Sequence, residues 1–344
     1  IIGFILILGG VFSIIQNTGA INASIRRVGE LLEGREKIVI PVGMTLFSIF
    51  GAVFGMSEEV IPFVLIFIPL AMTLGYDSII GVAIPFLGAG VGFAGALLNP
   101  FTIGIAQGVA ELPLFSGLMY RLMVWFIVTL IGILAVMRYA KKVKHSPEMS
   151  PVYDLDQNRR MAYEKESNGQ SGFSRRHKII MMIFLLGIAL MIFGVMRYQW
   201  FIKEIAALFL GMGITVGIVS RLSVNSVAES FVDGARDLIG AALVVGFARA
   251  ILVIASDGMI IDTIMHYLSG LISQFHPVFA AQMMFGMQTF INFFVPSGSG
   301  QAALTMPIMS PLADLVGVTR QTAVLAFQMG DGFTNMIIPT SGVT

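Results

Sequence analysis

The sequence predicts an all-α polytopic membrane protein made of two inverted-topology repeats, each with a re-entrant helical hairpin and a broken transmembrane helix. Three observations carry that expectation. Of 344 residues 56% are apolar and only 12% charged, about half the charged share of a soluble domain. The charges gather at 26–37 and 138–178, which leaves long apolar stretches between them. The chain also aligns with itself at a nearly constant offset. Its 38 Gly and 13 Pro, with no low-complexity run, suit helices that break and pack closely. A net charge of +1 gives no reason to expect a nucleic-acid partner, and zero Cys excludes disulfides, thiolate catalysis and cysteine metal sites.

A hydrocarbon core of about 30 Å takes about 20 apolar residues per helix, and 118–138, 178–197, 203–220 and 238–256 fit that template. Ile1 to Gln16 reads as a shortened fifth span. Because the chain opens inside an apolar run without Met and stops at Thr344 without a closing span, it reads as an internal fragment lacking at least one helix at each end. Loop 138–178 holds ten of the 21 basic residues, so the positive-inside rule expects it in the cytoplasm. Its polar middle, 146–174, is expected to be a flexible linker, and 20–37 an interfacial helix.

The expected organisation is therefore a first repeat at 1–140, with its hairpin at about 38–74 and its broken helix at about 77–111. A cytoplasmic linker follows at 141–177, then connecting spans and an interfacial helix at 178–237. A second repeat occupies 238–344, with its hairpin at about 277–316 and its broken helix at about 318–344. At an offset of 239, Val11 to Ile21 lies on Ala250 to Ile260; at 242, Met56-Ser57 lies on Gly298-Ser299, Pro69-Leu70-Ala71 on Pro311-Leu312-Ala313, and Gly75, Gly88 and Gly90 on Gly317, Gly330 and Gly332. Counting crossings puts the first and last repeats in opposite orientations, the arrangement of secondary transporters that bind substrate and ions at the repeat interface.

The hairpin tips fall at Gly55 to Glu59 and at Val295 to Gln301. Non-helical backbone at membrane depth must be buried in protein or line a wet cavity. The broken helices are expected to interrupt at Gly88 to Gly92 leading to Asn99 to Thr102, and at Gly330 to Asn335 leading to Thr340. Oxygen ligands suit hard cations and half-helix N-termini suit anions, so Ser57, Glu58, Glu59, Asn99, Thr102, Ser297, Ser299, Gln301, Thr334, Asn335 and Thr340 are expected to bind substrate. Ser57, Asn99, Ser299, Asp331 and Asn335 are expected to bind a coupling ion, Na⁺ or H⁺, with no other cofactor or metal. Glu58, Glu59 and Asp331 are the sharpest candidates, because an ionisable group in an apolar run is costly; surface turns are the plainer alternative. Arg249, in another apolar run, needs a carboxylate, carbonyls or an anionic substrate. His266 and His276 lack acidic spacing for a metal. An intramembrane enzyme is disfavoured because Gln328 stands where the second aspartyl-protease motif needs Gly, and no base is patterned near Ser299. A channel is the other class to weigh.

The segments GMSEEVIPF at 55–63, LLNPFTIGIAQG at 97–108, GFARAI at 246–251, NFFVPSGSGQAALTMPIMSPLADL at 292–315 and GDGFTNMIIPTSG at 330–342 resemble the YfcC family, within the anaerobic four-carbon-dicarboxylate carrier-like proteins of the ion transporter superfamily. The resemblance implies a multi-pass bacterial inner-membrane homodimer with a scaffold domain and a moving transport domain, surrounded by lipid. It implies half-sites at Ser57, Glu58, Asn99 and Thr102, and at Ser297, Ser299, Asp331, Thr334 and Asn335. Dicarboxylate carriers of the superfamily often carry Ser-Asn-Thr at a hairpin tip, where this chain has Ser57-Glu58-Glu59 and Ser299-Gly300-Gln301. The expected function is secondary active transport of a small carboxylate-bearing metabolite, an amino acid or dicarboxylate. The acidic tip also fits the label basic amino acid antiporter that YfcC-like proteins carry.

Overall fold

A computed structural model describes residues 2–167, 174–198, 200, 202–272 and 274–341; the side chains of Glu58 and Arg249 lie outside the described set. Among the described residues every regular element is helical. The helices are α1 (Ile2–Asn17), α2 (Ala20–Leu31), α3 (Val39–Phe54), α4 (Ile61–Thr73), α5 (Ser78–Gly95), α6 (Ile105–Val109), α7 (Leu118–His145) and α8 (Tyr153–Ser167). They continue as α9 (Arg175–Tyr198), α10 (Ile202–Ser220), α11 (Val224–Asp237), α12 (Ile239–Asp257), α13 (Ile260–Ile272), α14 (Pro277–Phe294), α15 (Gly298–Leu315) and α16 (Arg320–Thr334). Five described stretches are long and apolar enough to cross a membrane, six if α1 and α2, bent by 69°, count as one span. The chain forms two compact units of interleaved stretches, 1–41, 61–85 and 135–243 in one and 42–60, 86–134 and 244–344 in the other.

In the first unit α1 meets α11 with no side chain between them, since a Cβ on Gly9 or Gly234 would strike the other's carbonyl. Asn17 Nδ2 donates to Ser230 Oγ at 2.8 Å across that seam. The expected linker at 146–174 is not without structure: α8 fills Tyr153–Ser167. It docks through Asp156, whose Oδ2 accepts from the Ser78 amide at 2.7 Å and so satisfies an N-terminal N–H of α5. Asp77 Oδ2 accepts from Tyr139 and Ser150 hydroxyls, each at 2.7 Å, and Arg160 donates to the Tyr76 carbonyl at 2.9 Å. The polar composition that reads as a linker is the composition of a helix with one docked face.

In the second unit α3 packs against α5 backbone to backbone. A Cβ on Gly92 would collide with the Ser48 carbonyl, and one on Gly51 with the Ala89 carbonyl. Gly88 to Gly92 therefore lies inside continuous helix and does not interrupt it; the interruption falls at Ala96 (φ 36°) and Leu97 to Asn99, followed by a π-helical turn, Pro100–Gly104. Gly330 to Gly332 is likewise helical, with Gly330 on the α14 backbone at Phe285 and Thr289 and Gly332 against Ala94. These glycines were expected to break helices and instead let helices approach, the small-residue packing that serves where lipid supplies no hydrophobic drive. The second hairpin is α14 and α15, tied where Gln301 Nε2 donates to the Gln288 carbonyl (2.9 Å) and Oε1 (2.7 Å). Met284, Met287, Ile291, Met306, Met309 and Phe327 fill the core around it.

The α4–α5 turn recurs at α15–α16 bond for bond. The Leu74, Gly75 and Tyr76 amides donate to Leu70, Met72 and Ala71 carbonyls, as those of Val316, Gly317 and Val318 do to Leu312, Asp314 and Ala313. Gly75 and Gly317 both take positive φ, 81° and 71°, the left-handed turn that closes a helix C-terminus. Asp77 then caps α5 through the Ile80 amide, and Thr319 caps α16 through that of Thr322. Every pair differs by 242 residues.

Candidate functional site

All the sequence-predicted candidates fall in the second unit. The π-helical turn after the α5 interruption sets out the first group. Asn99 caps it, Oδ1 accepting from the Phe101 amide at 2.9 Å, while Gly55 at φ 67° lies against the Asn99 amide so closely that no side chain fits there. Thr102, three residues on, is buried. The second group comes from the tip of the second hairpin and the end of α16. Ser297 caps α15, its hydroxyl accepting from the Gly300 amide at 3.3 Å. Gly298 joins the two groups: a Cβ there would strike the Thr102 methyl and stand 3.1 Å from Asp331 Oδ2.

Asp331 is fully buried. Its Oδ1 accepts from Asn335 Nδ2 at 3.1 Å, and Asn292 Nδ2 bridges the Asp331 carbonyl (3.1 Å) and Asn335 Oδ1 (3.0 Å). Asp331 Oδ2 has no protein hydrogen-bond partner, nor do Asn99 Nδ2, Thr102 Oγ1, Asn292 Oδ1, Gln301 Oε1 and Thr340 Oγ1. More than nine in ten buried polar groups in proteins are paired. Several orphans in one unit, most of them oxygens, are what a bound polar species would satisfy.

Ser57 and Asn335 line one cavity of about 30 Å³ with Met56, Phe86, Phe93 and Ser341, room for a water or a bare ion. The Ser57 amide donates to Glu59 Oε2 at 3.0 Å, which turns that carboxylate onto its own tip. Ser299 is half-buried in the first turn of α15. The Thr334 hydroxyl donates to the Gly330 carbonyl, and the Gln301 NH₂ is committed to Gln288, leaving only its carbonyl oxygen. Glu58 lies outside the described side chains. Among the described residues no three His, Cys, Asp or Glu side chains gather as metal ligands.

Sequence reasoning missed four polar residues. Asn292 holds Asp331 and Asn335, Gln288 holds Gln301, Gln328 Nε2 donates to the Phe93 carbonyl at 2.9 Å, and Arg121 is wholly buried. Each is a polar side chain in an apolar helix, and that signal, applied to amides and to every arginine as well as to acids, would have found them.

The family model of DcuC, the C4-dicarboxylate anaerobic carrier, matches residues 1–344. The chain is 43% identical to the "Putative basic amino acid antiporter YfcC" of Escherichia coli (strain K12), over 99% of this chain and 69% of that protein. It is 34% identical to an uncharacterised protein of Haemophilus influenzae, over 98% of this chain and 67% of that one. The crystal structure of the Alcanivorax borkumensis YdaH transporter superposes at a TM-score of 0.44 and 14% identity, over 99% of this chain and 75% of its own. With its apolar helices and the family-model match over residues 1–344, the chain belongs to the DcuC family of C4-dicarboxylate anaerobic carriers, multi-pass transporters of the bacterial inner membrane and not enzymes.

Proposed function

We propose that the chain is a secondary active transporter of a small carboxylate-bearing metabolite, an amino acid or dicarboxylate, working by alternating access as a homodimer. The observation that carries the reading is the buried Asp331 carboxylate, one oxygen unpartnered, beside the Gly298 tip and Thr102. Asp331 and Thr102, which meet at Gly298, each keep an orphan oxygen of the kind a hard cation takes, and the N-terminus of α15 presents amides that suit a carboxylate. Together they suit a coupling Na⁺ or H⁺ with a substrate anion. The turn repeated at an offset of 242 supports an internal repeat, and counting crossings would set its two copies in opposite orientation, as in such carriers.

A second reading, antiport of a basic amino acid, draws on the same carboxylate: Asp331 would take the substrate's cationic group, as the name of the Escherichia coli relative suggests. Purified protein in liposomes, offered a panel of amino acids and dicarboxylates under Na⁺ or pH gradients, tests both. Counterflow or gradient-driven uptake is expected. Uptake indifferent to every imposed gradient and every preloaded substrate overturns the proposal.

A further inference from the structure

Arg121, in the first turn of α7, is among the largest fully buried side chains of the protein. Its recorded hydrogen bonds all go to backbone carbonyls. Nε donates to Ala96 O at 3.0 Å, Nη1 to Ser116 O at 2.6 Å, and Nη2 to Leu97 O and Phe115 O at 3.3 Å each. Two of these carbonyls belong to the α5 interruption and two to the loop before α7. Ala96 (φ 36°) and Phe115 (φ 59°) are non-glycine residues in the left-handed region, so the guanidinium holds the strained corner of each segment. Ser116 O also accepts from Gln107 Nε2 at 2.9 Å and Gln321 Nε2 at 3.3 Å, which brings α6 and α16 onto the same point.

The C-terminal end of a helix presents unpaired carbonyls with a partial negative charge. In carriers with interrupted helices such carbonyls are where a cation sits. Here a side chain that never loses its charge already sits there. We propose that Arg121 is a resident cation: its guanidinium occupies the carbonyl end of the first interrupted helix, so that end takes no exchangeable cation and coupling is left to Asp331. The coupling role rests on the transporter reading; the occupancy does not.

Removing the side chain while keeping the carbonyls tests it. In detergent, full-length Arg121→Ala should unfold about 5 °C below wild type. Millimolar guanidinium should restore most of that loss while leaving wild type unmoved, and in liposomes guanidinium should restore uptake by the variant. A loss that neither guanidinium nor any alkali cation repairs overturns the resident cation, as does a variant that unfolds and transports like wild type. Should Arg121→Ala fail to fold, Arg121→Lys is compared with Arg121→Gln: folding of Lys alone supports the assignment, equal yields overturn it. Guanidinium-restored unfolding with no gradient-driven uptake by wild type would sink the transporter reading and leave the occupancy standing.

Discussion

Asp331 and Arg121 are buried ionisable side chains with different supports. Arg121 spends its donors on four carbonyls, whereas Asp331 keeps one oxygen unpartnered beside Thr102 and the Gly298 tip. A buried charge that is only structural loses stability when neutralised, because its partner is left uncompensated. A ligand loses function instead. Asp331→Asn should therefore lower coupled uptake by at least about tenfold, the loss of one charged contact, while eluting as a folded species on size exclusion. Lost expression, rescued when Arg249 is also neutralised, would instead mark a structural pair. Asp331, Asn99, Thr102 and Asn335 were legible in the sequence because acids, amides and hydroxyls stand out in apolar runs. Which polar atoms stay free was not, since the Thr334 hydroxyl reads like that of Thr102 yet is committed to Gly330, and Gln301 spends its NH₂ on Gln288 and keeps only its oxygen.

At the scale of elements, glycine is the residue whose meaning the sequence left ambiguous. Gly75 and Gly317 close helices at positive φ, while Gly88, Gly92, Gly330 and Gly332 let backbones touch, and composition alone does not separate the two uses. Gly92→Ala should cost about 1–3 kcal/mol, because the new methyl meets the Ser48 carbonyl of a facing helix with no flexible end to yield. Gly211→Ala in α10, with nothing within 4 Å of the added carbon, should be neutral or slightly stabilising. Thermal unfolding of both variants in the same detergent checks the contrast. The spans at 118–138, 178–197 and 203–220 were legible from length and hydropathy, and α2 from basic residues set among apolar positions. α8 was hidden because its few docking contacts, centred on Asp156 and Arg160, are long-range.

For the whole molecule, charge predicts the side of the membrane. A Cys placed at the exposed position Asn158 is the chain's only thiol and should react with a membrane-impermeant reagent only after cells are opened, because ten of 21 basic residues lie in 138–178. Labelling in intact cells would reverse the orientation. The repeat reads as an offset, and the structure repeats the hydrogen bonds of one turn along it. The partition into two units was not legible, since it depends on which helices meet. Each unit is assembled from three separated stretches, and 42–60 belongs with 244–344. During synthesis at about 5–20 residues per second, the roughly 180 residues between them take about 10–40 s to emerge. Over that interval α3 stands in the bilayer without the α14–α16 group that completes its unit, so the unit carrying Asp331 can close only once α16 has left the ribosome.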